Sequence, residues 1–297
     1  MNDIAIPKHK ATPAVFDHSI GYWQTVVRRF LNDKVALGAA LVVLVLLTMA
    51  VLGIMITPAD PYESSTLKRL KPIGFEGHPL GTDELGRDML SRLVVGARLS
   101  LFMGITPVIF AFVLGSLIGI TAGYAGGITN SVMMRTIDVF YAFPSVLLAI
   151  ALSGALGAGI TNSLVSLTVV FIPPIARVAE SVTTQIRSRD FVDAARASGA
   201  SAFTIVRVHV LGNVLGPIFV YATSLIAVSM ILASGLSFLG LGVKPPEPEW
   251  GLMLNTLRTS IYVQPWIAAL PGVMIFITSI AFNLVADGLR SAMEIKQ

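Results

Sequence analysis

Side chains able to do chemistry are few and scattered in this chain of 297 residues. It contains no cysteine, which excludes disulfides, thiolate metal sites and cysteine nucleophiles. We interpret its four histidines as loop or interface residues rather than metal ligands, because they lie in different segments: His9, His18, His78 and His209. The sequence shows neither a Ser/His/Asp grouping nor a Gly-x4-Gly-Lys-Ser/Thr phosphate loop. It therefore predicts a protein that is not an enzyme and binds no metal or cofactor itself.

One stretch, from Arg187 to Thr204, has residue types suited to binding another protein. Asp190 is a suitable N-cap for a short helix, and Asp193 adds favourable charge to its first turn. Gly199 supplies a turn that a side chain would hinder. The helix between them has little bulk because it contains Ala194, Ala195 and Ala197. Such a hairpin, flanked by arginines, fits a groove on another protein. From the residues alone, an amphipathic hairpin at the membrane surface with no partner is an equal alternative.

Local side-chain interactions are predicted at three further places. Ser201 is placed to cap a second short helix that runs toward Leu211. Two pairs of opposite charges stand three residues apart and predict ion pairs on a helix surface: Arg135 with Asp138, and Arg177 with Glu180.

The elements that position these residues are predicted from composition. The chain is 54% hydrophobic and 13% charged, with a mean hydropathy of +0.78. Soluble domains carry roughly 25% charged residues, so this chain lacks the charge to cover a water-facing surface. Lipid requires every backbone polar group to bond internally, which favours helices. We therefore expect an all-α integral membrane protein. The net charge is +4, but Lys and Arg lie mainly in tails and loops, so nucleic-acid binding is not favoured.

Six apolar runs are long enough to cross a bilayer. An amphipathic helix over Ser19–Lys34 precedes them and is expected to lie along the membrane interface. The first run begins too far into the chain for a cleavable signal peptide, so we interpret it as a retained anchor. The predicted spans are Val35–Ile56, Leu99–Ala122, Val132–Leu156, Leu164–Val182, Val214–Ser234 and Trp266–Ala286.

The domain organisation follows from these spans. Residues 1–56 hold the tail, the amphipathic helix and the first span, residues 57–96 form an external loop, and residues 97–290 form the core. Lys and Arg are more numerous in the segments that an internal N-terminus places inside, so both termini are predicted to be cytoplasmic.

The second span carries a groove of small residues, Gly115, Gly119 and Gly123, which would let another helix approach closely. Several prolines fall in or beside spans and can kink them: Pro107, Pro144, Pro173, Pro174, Pro217 and Pro271.

The stretch Asp193-Ala-Ala-x3-Gly199 resembles the coupling loop of binding-protein-dependent ABC importer permeases. That family pattern begins with Glu and ends in an apolar-x-apolar-Pro run. Here Asp193 replaces the Glu and keeps the carboxylate, while Gly212 stands where the Pro is expected.

Three further stretches are similar to signatures of the second permease of dipeptide, oligopeptide and nickel importers. The first is Leu80-Gly-Thr-Asp-Glu-Leu-Gly-Arg-Asp-Met-Leu-Ser-Arg92, continuing through Gly96-Ala-Arg-Leu-Ser-Leu101. The others are Leu236-Ser-Phe-Leu-Gly-Leu-Gly242 with Pro245-Pro246 and Glu249-Trp-Gly251, and the ending Phe282-Asn-x3-Asp-Gly-Leu-Arg290.

This resemblance implies a type I ABC importer permease fold in the bacterial inner membrane. It implies a homologous second permease that completes a heterodimer, two cytoplasmic ATPase subunits that bind ATP and Mg²⁺, and a periplasmic solute-binding protein. The coupling loop, residues 187–212, would contact an ATPase through Asp190, Asp193, Ala194, Ala195, Arg196 and Gly199. Peptides are the expected cargo, with nickel or other small solutes as alternatives. A stand-alone, ion-coupled carrier is the alternative from another class.

The external motif has two interpretations under this resemblance. It comprises Gly81, Asp83, Gly86, Arg87 and Asp88. Its charges either contact the binding protein or partner permease, or form a salt-bridged brace within the loop, which we favour.

Overall fold

The computed structural model describes residues 21–293, which fold as helices joined by turns, without β-strands. The terminal residues that carry His9, His18 and Lys296 lie outside this range. The helices are α1 (Tyr22–Asn32), α2 (Lys34–Ile56), α3 (Met89–Ala125), α4 (Gly127–Tyr141), α5 (Ser145–Leu156), α6 (Ile160–Arg187), α7 (Asp190–Ala197), α8 (Ala202–Thr204), α9 (Leu211–Phe238), α10 (Trp250–Thr256) and α11 (Pro265–Met293).

Five helical segments are long and apolar enough to cross a membrane, and the α4–α5 pair makes a sixth if it is counted as one span. This confirms the prediction of about six spans. The third span is not the continuous helix expected over Val132–Leu156, because α4 and α5 meet at an angle of 86°. Pro144 occupies the N-cap position of α5. Its ring disfavours helical backbone at the preceding residue, so the break occurs there.

Helix α3 begins at Met89, which is earlier than expected, so the loop predicted to be external ends at Asp88 rather than near residue 96. The Asp88 side chain caps α3, accepting a hydrogen bond from the Ser91 N–H at 2.7 Å. The 37 residues of α3 extend for about 55 Å, whereas a hydrocarbon core is about 30 Å thick. Part of α3 therefore stands outside the bilayer and supports the loop.

The glycine groove of α3 packs against α6, as predicted. A Cβ atom on Gly119 would overlap the Ala176 carbonyl oxygen. One on Gly115 would lie 3.0 Å from Ile175, and one on Gly123 would lie 2.8 Å from the Glu180 carbonyl oxygen. These glycines let the two helices approach closely, and α9 packs against both to complete the core.

The N-terminal helices lie at the periphery. Of an 18-residue apolar stretch of α2, only 17% is buried, whereas the corresponding stretch of α3 is 44% buried. The predicted amphipathic helix is present as α1, although residues 19 and 20 lie outside the described range. Trp23, Val27 and Leu31 stand one turn apart and are exposed, whereas Val26 is buried. This apolar stripe suits the membrane interface. The location of α1 at that interface stays a prediction.

Candidate functional site

The segment between α6 and α9, residues 188–210, is called here the α6–α9 loop. Helix α7 begins at Asp190, and the N-cap position belongs to Arg189, whose side chain makes no capping hydrogen bond. The prediction that Asp190 is the N-cap is therefore wrong. Both Asp190 and Asp193 lie in the first turn, where the positive end of the helix dipole favours carboxylates.

A Schellman motif ends α7. Gly199 has φ +81°, and its N–H donates to the Arg196 carbonyl at 3.1 Å, while the Ala200 N–H donates to the Ala195 carbonyl at 3.2 Å. A Cβ atom on Gly199 would meet nothing within 4 Å. The glycine is therefore required by its left-handed backbone and not by a close neighbour.

The second helix of the loop differs from the prediction. Ser201 caps it as expected, accepting from the Thr204 N–H at 3.2 Å. However, α8 runs through a π-helical segment, Ile205–Val210, directly into α9. It is therefore the beginning of the fifth span rather than a separate short helix. Gly212 lies within the first turn of α9.

The α6–α9 loop presents small and aromatic residues on its surface. Val192 is fully buried and anchors α7 to the core. Arg196 Nη1 donates to Asp193 Oδ1 at 2.7 Å, and both side chains are about half exposed. Phe203 is 74% exposed, and Phe191 is also exposed. Of the predicted contact residues, Ala195 is half-buried and the others are exposed: Asp190, Asp193, Ala194, Arg196 and Gly199.

A second cluster of charges is buried in the segment between α2 and α3, the 57–88 loop. At its centre, Asp83 Oδ1 accepts hydrogen bonds from the backbone N–H groups of Leu85 and Arg87, both at 2.9 Å. Asp83 Oδ2 lies 2.6 Å from Arg87 Nε and 3.2 Å from Arg92 Nε. Arg87 also donates to Glu84 at 3.1 Å. Burial, reinforced by the neighbouring Asp83 charge, raises the pKa of Glu84 above its ordinary value.

The remaining motif residues fasten this loop. Asp88 Oδ1 lies 3.0 Å from His78 Nδ1, while its Oδ2 caps α3. Gly81 and Gly86 both have φ +76°. A Cβ atom on Gly86 would overlap the Ser65 carbonyl oxygen, so this glycine permits both the turn and the close approach. The five motif residues therefore lie together in one buried region.

Two residues outside the predicted site join this region to the rest of the fold. Arg92 Nη1 donates to the carbonyls of Pro61 at 3.0 Å and Pro246 at 3.4 Å. Glu249 caps α10 through the N–H groups of Gly251 and Leu252, and burial raises the pKa of its carboxyl. Both residues stand in the motifs identified from sequence, but only the tertiary structure shows what they contact.

The predicted helix-surface ion pairs are wrong. Arg177 of α6 pairs with Asp138 of α4, across two helices. Glu180 instead accepts a hydrogen bond from Asn130 Nδ2 at 2.7 Å. Because α4 and α6 pack side by side, Arg177, Asp138 and Glu180 each have a partner on the facing helix that sequence spacing does not reveal.

Residues 115–295, more than half of the chain, match the family model described as "Binding-protein-dependent transport system inner membrane component". The chain belongs to this family. Residues 21–72 of the permease also match the model of the N-terminal transmembrane domain of oligopeptide transport permease C. The family-level resemblance found in the sequence is therefore confirmed, and the permease is an integral inner-membrane protein.

Curated relatives match nearly the whole permease. It is 39% identical to the glutathione transport system permease protein GsiD of Pectobacterium atrosepticum, over 96% of this chain and 95% of the relative. It is 40% identical to the protein of the same name from Escherichia coli O157:H7, over 92% of this chain and 90% of the relative. The permease is thus an ABC importer permease of the oligopeptide type, a family whose members work with ATPase and binding-protein partners.

Solved structures show the same fold. Two inward-facing crystal forms of the MetNI methionine ABC transporter are 22% identical to the permease, with TM-scores of 0.56 and 0.57. The match covers 69% of this chain and 97% of the solved chain. The expected ABC importer permease fold is therefore confirmed.

Proposed function

We propose that this permease forms half of the translocation path of an ATP-driven importer for small peptides, and that its α6–α9 loop contacts a cytoplasmic ATPase. The chain itself is not catalytic in this proposal, because ATP and Mg²⁺ are bound by the partner subunits. The cargo is inferred from the relatives, which are named as glutathione transport permeases. Glutathione is therefore the first peptide to test, with a dipeptide and a nickel chelate as comparisons.

The observation that carries the ATPase contact is the shape of the α6–α9 loop. Its first helix is held from beneath by the buried Val192 and ends in the Gly199 turn, while its outer face exposes small residues and Phe203. An exposed short helix, α7, joined through a tight turn to the first residues of the fifth span is suited to transmit a push from a bound subunit into the membrane. Such a push would bias the spans between inward-facing and outward-facing states.

The proposed orientation places both termini and the α6–α9 loop in the cytoplasm, with the 57–88 loop outside. Six crossings, with α4–α5 counted as one, return the chain to the side where it began, which supports placing both termini on the same side. The excess of Lys and Arg in the segments on that side supports assigning it to the cytoplasm. In this proposal residues 1–56 form a peripheral N-terminal unit, residues 57–96 the external loop and its helical support, and residues 97–290 the core.

The break between α4 and α5 is the proposed lining of the path. Irregular backbone at membrane depth is tolerated where it is buried in protein or lines a water-filled cavity. A cavity of about 270 Å³ adjoins this break, and aromatic side chains line it, including Phe140, Tyr141, Phe143 and Tyr221. Their rings offer apolar faces, and the tyrosines add hydroxyl groups that suit a peptide.

The proposed partners are a different, homologous permease, two ATPases and an external binding protein, with lipid around the spans and no nucleic acid. A tagged permease gently solubilised from its native membranes should carry these proteins, identified by mass spectrometry. Recovery of the permease alone, or only with itself, would contradict the proposal and favour the ion-coupled carrier.

Transport is tested with the purified assembly in proteoliposomes that contain the binding protein and ATP. We expect ATP-dependent uptake of glutathione in preference to the nickel chelate. Ala195→Asp should abolish uptake while membrane insertion persists, because it adds a charge to the proposed contact surface. Uptake that survives without ATP but collapses with the proton gradient would overturn the proposal.

A further inference from the structure

A cavity of about 770 Å³ lies between α2 and α3, at the ends of these helices that meet the 57–88 loop. Its walls are mainly apolar and include Met49 and Ile54 of α2 and Val95 and Phe102 of α3. The volume falls in the range of ligand cavities, roughly 300–1,000 Å³. The two helices touch beside it at Gly53, where a Cβ atom would lie 3.2 Å from the Val94 carbonyl oxygen.

The cavity is bordered by charges of opposite sign that do not pair with each other. Arg98 of α3 is exposed, and no carboxylate of residues 21–293 lies within ion-pair distance of it. Glu247, which is half-buried, also lines the cavity, and its Oε2 accepts a hydrogen bond from the Tyr62 hydroxyl at 3.0 Å. Arg98 belongs to one of the sequence motifs, but it takes no part in the buried charge cluster of the 57–88 loop or in the proposed ATPase contact.

The position of Arg98 and the residues around it indicate which anion would pair with its guanidinium. Arg98 lies about 14 Å along α3 from Met89, at the residue before the predicted span Leu99–Ala122 and so near the level of the lipid headgroups. The adjoining face of α2 presents exposed apolar side chains that suit contact with lipid, since Val51 is 77% exposed and Ile54 is 70% exposed. An arginine near hydrocarbon is costly unless an anion or water reaches it. Its guanidinium matches a phosphate, with which it forms paired hydrogen bonds.

We propose that this cavity binds one phospholipid whose headgroup carries a phosphate and a primary amine. Arg98 binds the phosphate, Glu247 binds the ammonium, and an acyl chain lies in the apolar cleft between α2 and α3. The lipid occupies the space beside the Gly53 contact and so links the sparsely buried first span to the core. A purely apolar partner helix would leave both Arg98 and Glu247 without counter-charges.

Native mass spectrometry tests this site on the assembled transporter in lipid nanodiscs. The nanodiscs contain phosphatidylethanolamine, phosphatidylcholine and phosphatidylglycerol in equal amounts. The wild-type protein should retain one phosphatidylethanolamine after detergent washing. Arg98→Gln should lower its retention about tenfold or more, and Glu247→Gln should abolish the preference over phosphatidylcholine while some phospholipid stays bound. Arg258→Gln, at an exposed arginine that does not line the cavity, is the matched control.

Three outcomes would overturn the proposal: no retained phospholipid, equal retention by Arg98→Gln and Arg258→Gln, or occupation by protein. The last is checked with Ile54→Cys, since the chain has no other cysteine and a photoreactive label attaches to this chain at that position alone. Cross-linking to lipid supports the site, and cross-linking mainly to a second permease chain contradicts it. If Arg98→Gln does not assemble, Arg98→Lys keeps the charge and should retain phospholipid at an intermediate level.

Discussion

Replacing Asp83 by asparagine is expected to destabilise the folded 57–88 loop by about 3 kcal/mol. The Asp83 carboxylate is buried, with its Oδ2 at 2.6 Å from Arg87 Nε and 3.2 Å from Arg92 Nε. Asparagine keeps the shape and one acceptor oxygen, but two buried guanidinium groups lose their shared counter-ion. Removing one partner of a buried ion pair costs about 3–5 kcal/mol. The low end applies because Arg87 keeps Glu84, 3.1 Å away.

Limited proteolysis and thermal unfolding of the purified assembly measure this effect. The Asp83→Asn protein should be cleaved in the loop sooner, unfold at a lower temperature and assemble less completely. Glu76→Gln, at an exposed position of the same loop, is the matched control and should behave like the wild type. A fully stable Asp83→Asn complex that no longer accepts the external binding protein would refute the brace and indicate a docking surface.

Three further predictions concern other parts of the molecule. Gly199→Asp should abolish ATP-driven uptake, because a side chain is disfavoured at φ +81°. Membrane insertion should persist because the turn is exposed, and the control Ser198→Ala should transport normally. Normal uptake by Gly199→Asp would refute the coupling role. Gly119→Ala should lower the free energy of unfolding by about 1–3 kcal/mol, because the added Cβ would overlap the α6 backbone. Gly154→Ala, whose Cβ would meet nothing within 4 Å, should be neutral or stabilising, and equal effects would contradict the packing argument. Because burial raises the Glu84 pKa, the folded protein keeps a proton that the unfolded chain releases, so stability falls as pH rises from 4.5 toward the raised value. Glu84→Gln should reduce that slope in thermal unfolding measured across pH, with the part due to buried Glu249 remaining, and an unchanged slope would count against this assignment.

The spans were predictable because lipid imposes a simple rule on sequence: a crossing helix needs about 20 mostly apolar residues. The first span was predicted as Val35–Ile56 and begins one residue earlier. Local rules also sufficed for Ser201, whose hydroxyl caps α8, and for the glycine groove of α3. These features depend on neighbours within a few turns of the same helix, or on small size alone.

Side-chain partners were not predictable in the same way. Arg177 and Asp138 meet because α4 and α6 pack together, although helix spacing favoured other pairs. Similarly, Arg92 joins Asp83 to the carbonyl of Pro246, more than 150 residues away in the chain. Nothing in local sequence specifies which distant segments become neighbours.

The sequence by itself determined that this protein is helical, membrane-embedded and a member of an importer permease family, because composition and motifs carry that information locally. Only the tertiary structure decided that the third span breaks by 86°, that α3 supports the 57–88 loop, and that Arg98 and Glu247 line the same cavity. Each of these depends on where one helix packs against another, and that is set by the whole fold rather than by any single segment.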